Sequence, residues 1–400
     1  MEEWKTYKLS DVCRFINGRA YSQDELLPQG KYQVLRVGNV GNDGHEWYYS
    51  DMELPNDKYC NYGDLLYTWA CNFGPVIWTG KKAIYHYHIW KVEENPEIID
   101  RHFLFYLLLC STESFKQSTN GSVMIHITKK DMERQEVRVP SLEIQKQIAS
   151  ILDSLYNKIE LNNRINHNLE EQAQALYKSW FVDYEPFRGG NFVDSELGLI
   201  PEGWKIGKIN DVINLLSGFP FKSSDFQENG DYQLITIKGV QDGYLDVTSA
   251  DMLSSLPSKM PQYCILNIGD ILISLTGNVG RICIVDRNNL LLNQRVAILS
   301  PKNIRDSFYV YTMFRSESMK DELIHLARGT AQLNLSPIET GEKLTVIPPD
   351  SILEAFAKVG KGTFNQYISL KMENIRLMEM RDFLLPKLMS GELKINDLTC

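Results

Sequence analysis

Several groups of residues could give this chain a reaction of its own, and each lacks part of what the chemistry needs. Adenine methyl transfer calls for Asn/Asp-Pro-Pro-Tyr/Phe and a glycine-rich cofactor loop. Here the Pro348-Pro349 pair follows Ile347 and precedes Asp350, and Asn95-Pro96 continues with Glu97. A phosphate cradle needs Gly-x-x-x-x-Gly-Lys-Ser/Thr, whose backbone N–H groups wrap the phosphates. Lys361-Gly362-Thr363 is not that order. Asp350 with Glu392 and Lys394 would suit a metal-dependent nuclease, but they fall at opposite ends of one expected helix. No His-Glu-x-x-His occurs, and the seven histidines have no metal-ligand spacing. His86 and His88 are expected on one face of a strand, at the surface or facing a polyanion, not holding a metal. The expectation is a chain with no catalytic centre, no metal and no bound cofactor.

A second set of residues suits recognition. Arg presents two donors that match guanine, Asn and Gln match adenine, and Lys and Arg on phosphates give register and affinity. Such residues cluster beside glycines. In the second half they are Lys222, Ser223, Lys238, Asn278, Arg281, Arg295, Arg328, Thr330, Gln332 and Asn334. In the first half they are Arg19, Arg36, Asn39, Asn72, Lys81, Lys82, Ser122 and His126. Taken singly, any of these is an ordinary solvated residue. Taken together, at matching places in both halves, they favour a binding face.

The elements that must position these residues come next. The stretch 141–181 reads as one long helix, with no Gly or Pro between Leu142 and Asp183. A seam runs Ile148, Leu152, Leu155, Ile159, Asn162, Asn166, Leu169, Ala173, Leu176, Trp180, in steps of four and three. That is the spacing of a helix packed along another helix, and a buried Asn in such a seam fixes register at some cost in stability. A related stretch at 351–393 ends the chain. Its clearest apolar positions are Ile368, Ile375, Leu377, Leu384 and Leu388. Gly360 and Gly362 each cost about 1 kcal/mol against Ala inside a helix, so a break or late start is expected there.

Before the first of these helices the pattern is β-rich. Tyr32-Gln33-Val34-Leu35-Arg36-Val37 alternates like a strand, and Gly63-Asp64 turns into a strand at Leu65-Leu66-Tyr67-Thr68. Asn72-Phe73-Gly74-Pro75 reads as a loop before a strand at Val76-Ile77-Trp78. Arg101 to Cys110 is apolar enough for a buried helix, and Val137-Arg138-Val139-Pro140 closes the region.

The second half repeats the first. Trp204 answers Trp4, Gly218 answers Gly18, and Tyr232-Gln233 answers Tyr32-Gln33, all at an offset of 200. The offset becomes 206 at Gly269-Asp270-Ile271-Leu272 and 208 at Gly329. Ile347-Pro348 answers Val139-Pro140, and Asn374 answers Asn166. The plan is therefore globule, helix, globule, helix. The expected fold class is α+β: two tandem β-rich domains separated by two long helices packed as an antiparallel coiled coil with pseudo-two-fold symmetry. The expected boundaries are 1–140, helix 141–182, linker 183–203, domain 204–349, helix 350–393 and tail 394–400. A helix of about 35 residues is about 52 Å long, so the pair is expected to act as a spacer. Its packing residues are Ile148, Leu152, Leu155, Ile159, Leu169, Leu176 and Trp180 against Ile368, Ile375, Leu377, Leu384 and Leu388.

Composition bounds the class. Of 400 residues, 43% are hydrophobic and 23% charged, as in soluble globular proteins. No apolar run reaches membrane-spanning length, and Met1-Glu2-Glu3 is not a signal-peptide start. The seven cysteines are scattered without a Cys-x-x-Cys pair and are read as reduced thiols of a cytoplasmic protein. The net charge of −9 is unlike that of a free-standing nucleic-acid binder. It implies local basic patches, or partner subunits that supply cationic surface.

Ala175-Leu176-Tyr177-Lys178-Ser179-Trp180-Phe181-Val182-Asp183, with Glu185-Pro186-Phe187 and the string from Ser195 to Trp204, resembles the central region of type I restriction–modification specificity subunits. Pro140-Ser141-Leu142-Glu143-Ile144-Gln145 is similar to the family's entry into its spacer helix, and Leu384-Leu385-Pro386-Lys387-Leu388-Met389-Ser390-Gly391-Glu392-Leu393 to its last helix end. Gly218-Phe219-Pro220-Phe221, Asn293-Gln294-Arg295 and Gly329 to Ser336 resemble segments of its target-recognition domains. The first domain departs more, with Met124 and His126 where the second has Gln332 and Asn334. The resemblance implies a non-catalytic subunit whose two domains each read half of a bipartite site in double-stranded DNA. It implies helices that dock two methyltransferase subunits and, through them, restriction and translocase subunits. S-adenosylmethionine, ATP and Mg would then sit on those partners. A self-sufficient DNA enzyme, or a scaffold with no nucleic-acid role, is the competing class. The first lacks its motifs, and the second leaves the duplicated polar loops without a purpose.

Overall fold

The computed structural model describes residues 4–40, 46–70, 73–118, 128–329 and 332–395. Asn72, Ser122, His126 and Thr330 lie outside them, as do Gly121 and Met124. The chain divides into two compact units, one made of 1–159 with 377–400 and the other of 160–376.

In the first unit one four-stranded sheet pairs Cys13–Asn17, Ile89–Glu94, Leu65–Thr68 and Gly74–Ile77 in that order. A second runs Tyr48–Ser50, Tyr32–Leu35, Ala83–Tyr85, Tyr59–Cys60. Lys5–Lys8 pairs with Glu136–Val139. The strand at Leu65–Thr68 is buried on both faces, which explains its continuous apolar run. Gly74 and Pro75, expected in a loop, belong to an edge strand, where a proline's missing N–H costs nothing. The helix Arg101–Ser118 covers the first sheet, with Phe103, Leu104 and Leu108 in the core beside Leu65 and Val92.

The second unit repeats this order strand for strand. Ile213–Ser217, Val296–Pro301, Ile271–Ser274 and Ile282–Ile284 form one sheet; Met252–Leu253, Tyr232–Ile235, Leu290–Leu292 and Ile265–Leu266 form the other. Lys205–Lys208 pairs with Leu344–Ile347. In both units the middle contact of the second sheet is parallel: Val34 opposite Ile84, and Leu234 opposite Leu291. The repeat read from the sequence is thus a repeat of topology. The stretch 183–203, expected as a linker, is an ordered part of the second unit. It holds a turn at Glu185–Phe187 and a hairpin, Phe192–Ser195 with Gly198–Pro201.

The central helix runs Leu142–Tyr177 and continues as a wider π-turn through Lys178–Val182. Gln145 fixes its start. That side chain is fully buried; its amide donates to the carbonyls of Ile98 and Pro140 at 2.9 Å, and its oxygen accepts from Asp100 N–H at 2.8 Å. The last helix runs Asp350–Ser390 without interruption. The break expected at Gly360 and Gly362 does not occur. Gly360 is buried, and a Cβ there would lie 1.9 Å from the Phe308 ring. Glycine is required for that ring to stack on Phe356 at 5.0 Å. The helix ends at Gly391, whose φ of +76° is the usual left-handed stop, and a Cβ at that position would meet the Trp4 indole at 3.1 Å.

Where the helices meet inside the second unit they run antiparallel. Trp180 lies against Phe356 at 5.5 Å, and Asn162 donates to Asn374 at 2.9 Å. In the first unit Ile148 and Leu152 share a core with Leu385 and Leu388. The central seam has Ile148, Leu152, Asn162, Asn166 and Ala173 buried, while Leu155, Ile159, Leu169, Leu176 and Trp180 are half-buried. On the last helix the buried line is Leu353, Phe356, Gly360, Phe364, Tyr367, Asn374, Leu385 and Leu388. Ile368, Ile375, Leu377 and Leu384 flank this line, half-buried.

Candidate nucleic-acid interface

Three segments of the second unit meet through backbone hydrogen bonds. Leu275 N–H donates to Arg295 C=O at 3.0 Å, and Gly277 N–H to Leu333 C=O at 2.9 Å. Leu335 N–H donates to Leu275 C=O at 2.7 Å. Arg328 and Asn334 exchange both backbone bonds, at 2.9 and 2.8 Å, so this loop is a closed ring. Gly329 at its bend has φ +122°, a conformation that L side chains rarely adopt. Inside the ring Thr276 donates its hydroxyl to the Asn334 amide oxygen at 3.0 Å. The ring therefore gathers Asn278, Arg295, Arg328, Gln332 and Asn334.

The side chains divide by what they touch. Arg295 and Gln332 are exposed. Arg328 is 80% exposed and pairs with Glu339 at 2.6 Å. Asn278 is exposed, and its carbonyl accepts the Ser274 hydroxyl at 2.5 Å, which sets the turn that carries Arg281. Arg281 donates to the Gln241 amide oxygen at 2.5 Å, and Gln241 donates to the Lys238 carbonyl at 2.7 Å. The loop of Lys238 is thereby tied to the ring. Lys222 and Ser223 are exposed on a turn shortly after Phe219, which bridges to Asn293.

The first unit builds the matching turn from different residues. Arg19 bridges to His86 as Phe219 bridges to Asn293. Tyr87 N–H donates to Arg19 C=O at 3.0 Å, as Gln294 N–H donates to Phe219 C=O at 3.1 Å. His86, Tyr87 and His88 form this turn and its approach, rather than one face of a strand. Trp69 meets the His88 ring edge-on at 5.0 Å, His88 meets His86 edge-on at 4.9 Å, and Trp69 donates its indole N–H to the Tyr87 carbonyl at 3.0 Å. Burial, then the neighbouring His88 and Arg36 charges, pushes the His86 pKa down to about 4, so it is neutral at pH 7.

Other residues expected here hold the first unit's own turns. Arg19 pairs with Glu25 at 2.6 Å and lies over the Tyr21 ring at 5.3 Å. Arg36 stacks on Tyr48 at 4.2 Å and donates to the Glu46 carbonyl at 2.8 Å. Asn39 is buried, accepts from Arg36 N–H at 3.3 Å and caps its own turn. Lys81 and Lys82 are exposed before the strand Ala83–Tyr85; Lys82 sits over the Tyr59 ring at 4.1 Å.

Tyr87, Gln294 and Gln241 also lie at this candidate site, although sequence reasoning names none of them singly as a contact. Tyr87 and Gln294 occupy equivalent turn positions, and extending the repeat through Ala83–Tyr85 and Leu290–Leu292 exposes the equivalence. Gln241 has no sequence signal, because its role depends on Arg281. Among the described residues no group of three or more His, Cys, Asp or Glu could hold a metal. Asp350 is ion-paired with Arg305, and Glu392 with Lys387 at 3.2 Å.

A pair of α+β units with the same strand order defines a tandem-repeat protein with two like domains. Residues 1–171 and 201–350 match the type I restriction modification DNA specificity domain, and the chain belongs to that family. It is 28% identical to the type I restriction enzyme MjaVIII specificity subunit of Methanocaldococcus jannaschii, covering 99% of this chain and 94% of that one. It is 26% identical to the HindI specificity subunit of Haemophilus influenzae, covering 98% and 100%. Its fold is similar to that of the type I system S subunit from M. genitalium, with TM-score 0.59, 16% identity and coverage of 97% and 96%. The chain is a DNA-specificity subunit of a type I restriction–modification system and is not itself an enzyme. No described helix is long and apolar enough to cross a membrane.

Proposed function

We propose that each unit reads one half of a bipartite site in double-stranded DNA, the first with the 86–88 turn and its neighbours, the second with the ring around 275–278, 293–295 and 328–334. The recurrence of one turn, bonded the same way in both units but carrying different side chains, supports this reading. His86-Tyr87-His88 in one copy and Asn293-Gln294-Arg295 in the other put different donors and acceptors at the same place. The amides and guanidinium of Asn293, Gln294 and Arg295 suit bidentate bonds to base edges in the major groove, and the imidazoles and phenol of His86, Tyr87 and His88 suit single ones. The two long helices, which contribute to both units, set the number of unread base pairs and hold two methyltransferase subunits. Restriction and translocase subunits join through those, and S-adenosylmethionine, ATP and Mg belong to the partners. Cationic surface on the partners offsets the net charge of −9.

Exchanging residues 204–349 for the equivalent region of a relative tests the reading. Methylated sites mapped in cells carrying the hybrid should keep one half-site and change the other. A change in both halves, or in neither, would overturn it.

A further inference from the structure

A buried polar network in the second unit joins both long helices to the loop that carries Lys238 and Gln241. Glu170, on the central helix, accepts from Arg315 at 3.0 Å and from the Tyr311 hydroxyl at 2.5 Å. Arg315 also pairs with Asp242 near the loop's tip, and Lys320 donates to the same carboxylate at 2.5 Å. From the last helix, Tyr367 donates to the Gly243 carbonyl at 3.0 Å and Lys371 donates to the same oxygen at 2.8 Å. Arg315 and Glu170 are only 16% and 14% exposed. Buried charges give little net stability beyond what apolar packing would give, and removing one partner is costly. Lys371, which also lies over the Tyr367 ring at 4.8 Å, is a weak way to stabilise a core, since burial disfavours its charge and pushes its pKa down. Its geometry does fix where that carbonyl sits.

The carbonyl lies at the tip of a short hairpin. Gly243 has φ +85°, and a Cβ there would meet the Arg315 guanidinium at 3.3 Å, so the tip must be glycine to accept this clamp. Its N–H donates to Ile282 C=O at 2.8 Å, which holds the other side of the tip to the sheet. Two residues before the tip Gln241 accepts from Arg281, and Lys238 supplies the carbonyl to which Gln241 donates. A displacement of the tip therefore moves three candidate DNA-contacting residues together.

We propose that Glu170, Arg315 and Lys371 are positioning residues for DNA recognition, placing the 238–246 loop, and with it Lys238, Gln241 and Arg281, from the two long helices. The inference rests on the reading that the second unit recognises one half-site. The helices then do more than separate two units: their placement sets the fine position of one reading loop.

The test uses the full chain assembled with its methyltransferase partner and a DNA library varied in both half-sites. Lys371→Met keeps the apolar stem and removes the donor; Tyr367→Phe removes only a hydroxyl and serves if the first variant folds poorly. Discrimination against single-base changes in the second half-site should fall about tenfold, the worth of one hydrogen bond to a charged group. Discrimination in the first half-site should be unchanged, and Lys371→Arg should restore part of the loss. A folded variant whose discrimination is unchanged in both half-sites would overturn the positioning role and leave the half-site reading intact. An equal fall in both would overturn the half-site reading itself.

Discussion

Gln332 is exposed, and its amide nitrogen lies 3.6 Å from the place a Cβ on Gly277 would occupy. The glycine at 277 leaves room for this side chain at the ring, and on the proposed reading its amide can meet adenine's donor and acceptor together. Arg328 stands beside it, with Glu339 as its partner in the free protein. On the proposed reading DNA displaces that carboxylate, and an exposed pair resists by no more than about 1 kcal/mol. Gln332→Ala and Arg328→Ala should each cost about 1–3 kcal/mol at a single base position and relax that position. Binding titrations against all four bases at each position check this; an equal loss on every sequence would mark phosphate contacts instead. The bends that carry these residues are legible in the sequence because glycines mark them. Asn39 shows the limit of that signal. It lies in an equally glycine-rich stretch, yet it is buried and caps a turn, and residue type does not distinguish a cap from a reader.

The helix pair has a polar layer at its middle. Asn162 donates to Asn374 at 2.9 Å and to Glu373 at 2.8 Å, and Asn374 donates to Asn163 at 2.8 Å. Buried amides at a seam cost stability but make any slipped register leave them unbonded. Replacing Asn162 and Asn374 together by Leu should raise the unfolding midpoint by about 2–4 °C for each kcal/mol gained. Cysteine cross-links between the helices should then trap several registers instead of one. A lower midpoint, or a single trapped register, would contradict this. The central helix is legible from its heptads because its seam keeps one line of spacing, although Tyr156 and Glu170 beside the seam also meet Tyr106 and Tyr311. The last helix is harder to read, since Phe364 and Tyr367 pack on Tyr311 as well as toward the central helix. Its apolar positions therefore spread around more of the circumference, and the half-buried Ile368 and Leu384 look like seam residues. Gly360 misleads for a related reason: a residue that breaks isolated helices is kept here for the space it leaves to Phe308.

At the scale of the molecule, the same helices are proposed to set the unread gap in the DNA. One heptad inserted near Asn166 and another near Asn374 keeps both seams in phase and adds about 10 Å of helix. That equals at most about three base pairs at 3.4 Å each. Mapped methylation sites should show a longer gap, with both half-sites unchanged; retained activity with the old gap would mean that the helices do not measure it. Inserting two or three residues instead breaks the seam and should abolish assembly. The discontinuity of the first unit has a consequence of another kind. Its core is completed by Leu385, Leu388 and Met389, and Leu388 is fully buried there. On the ribosome, the segment 1–159 emerges first but lacks that wall until residues beyond 377 follow it. At about 5–20 residues per second, synthesis of the intervening 160–376 takes roughly 10–45 s. The unit begun second has all its residues before the unit begun first, so the earliest-made apolar surface waits longest for its cover.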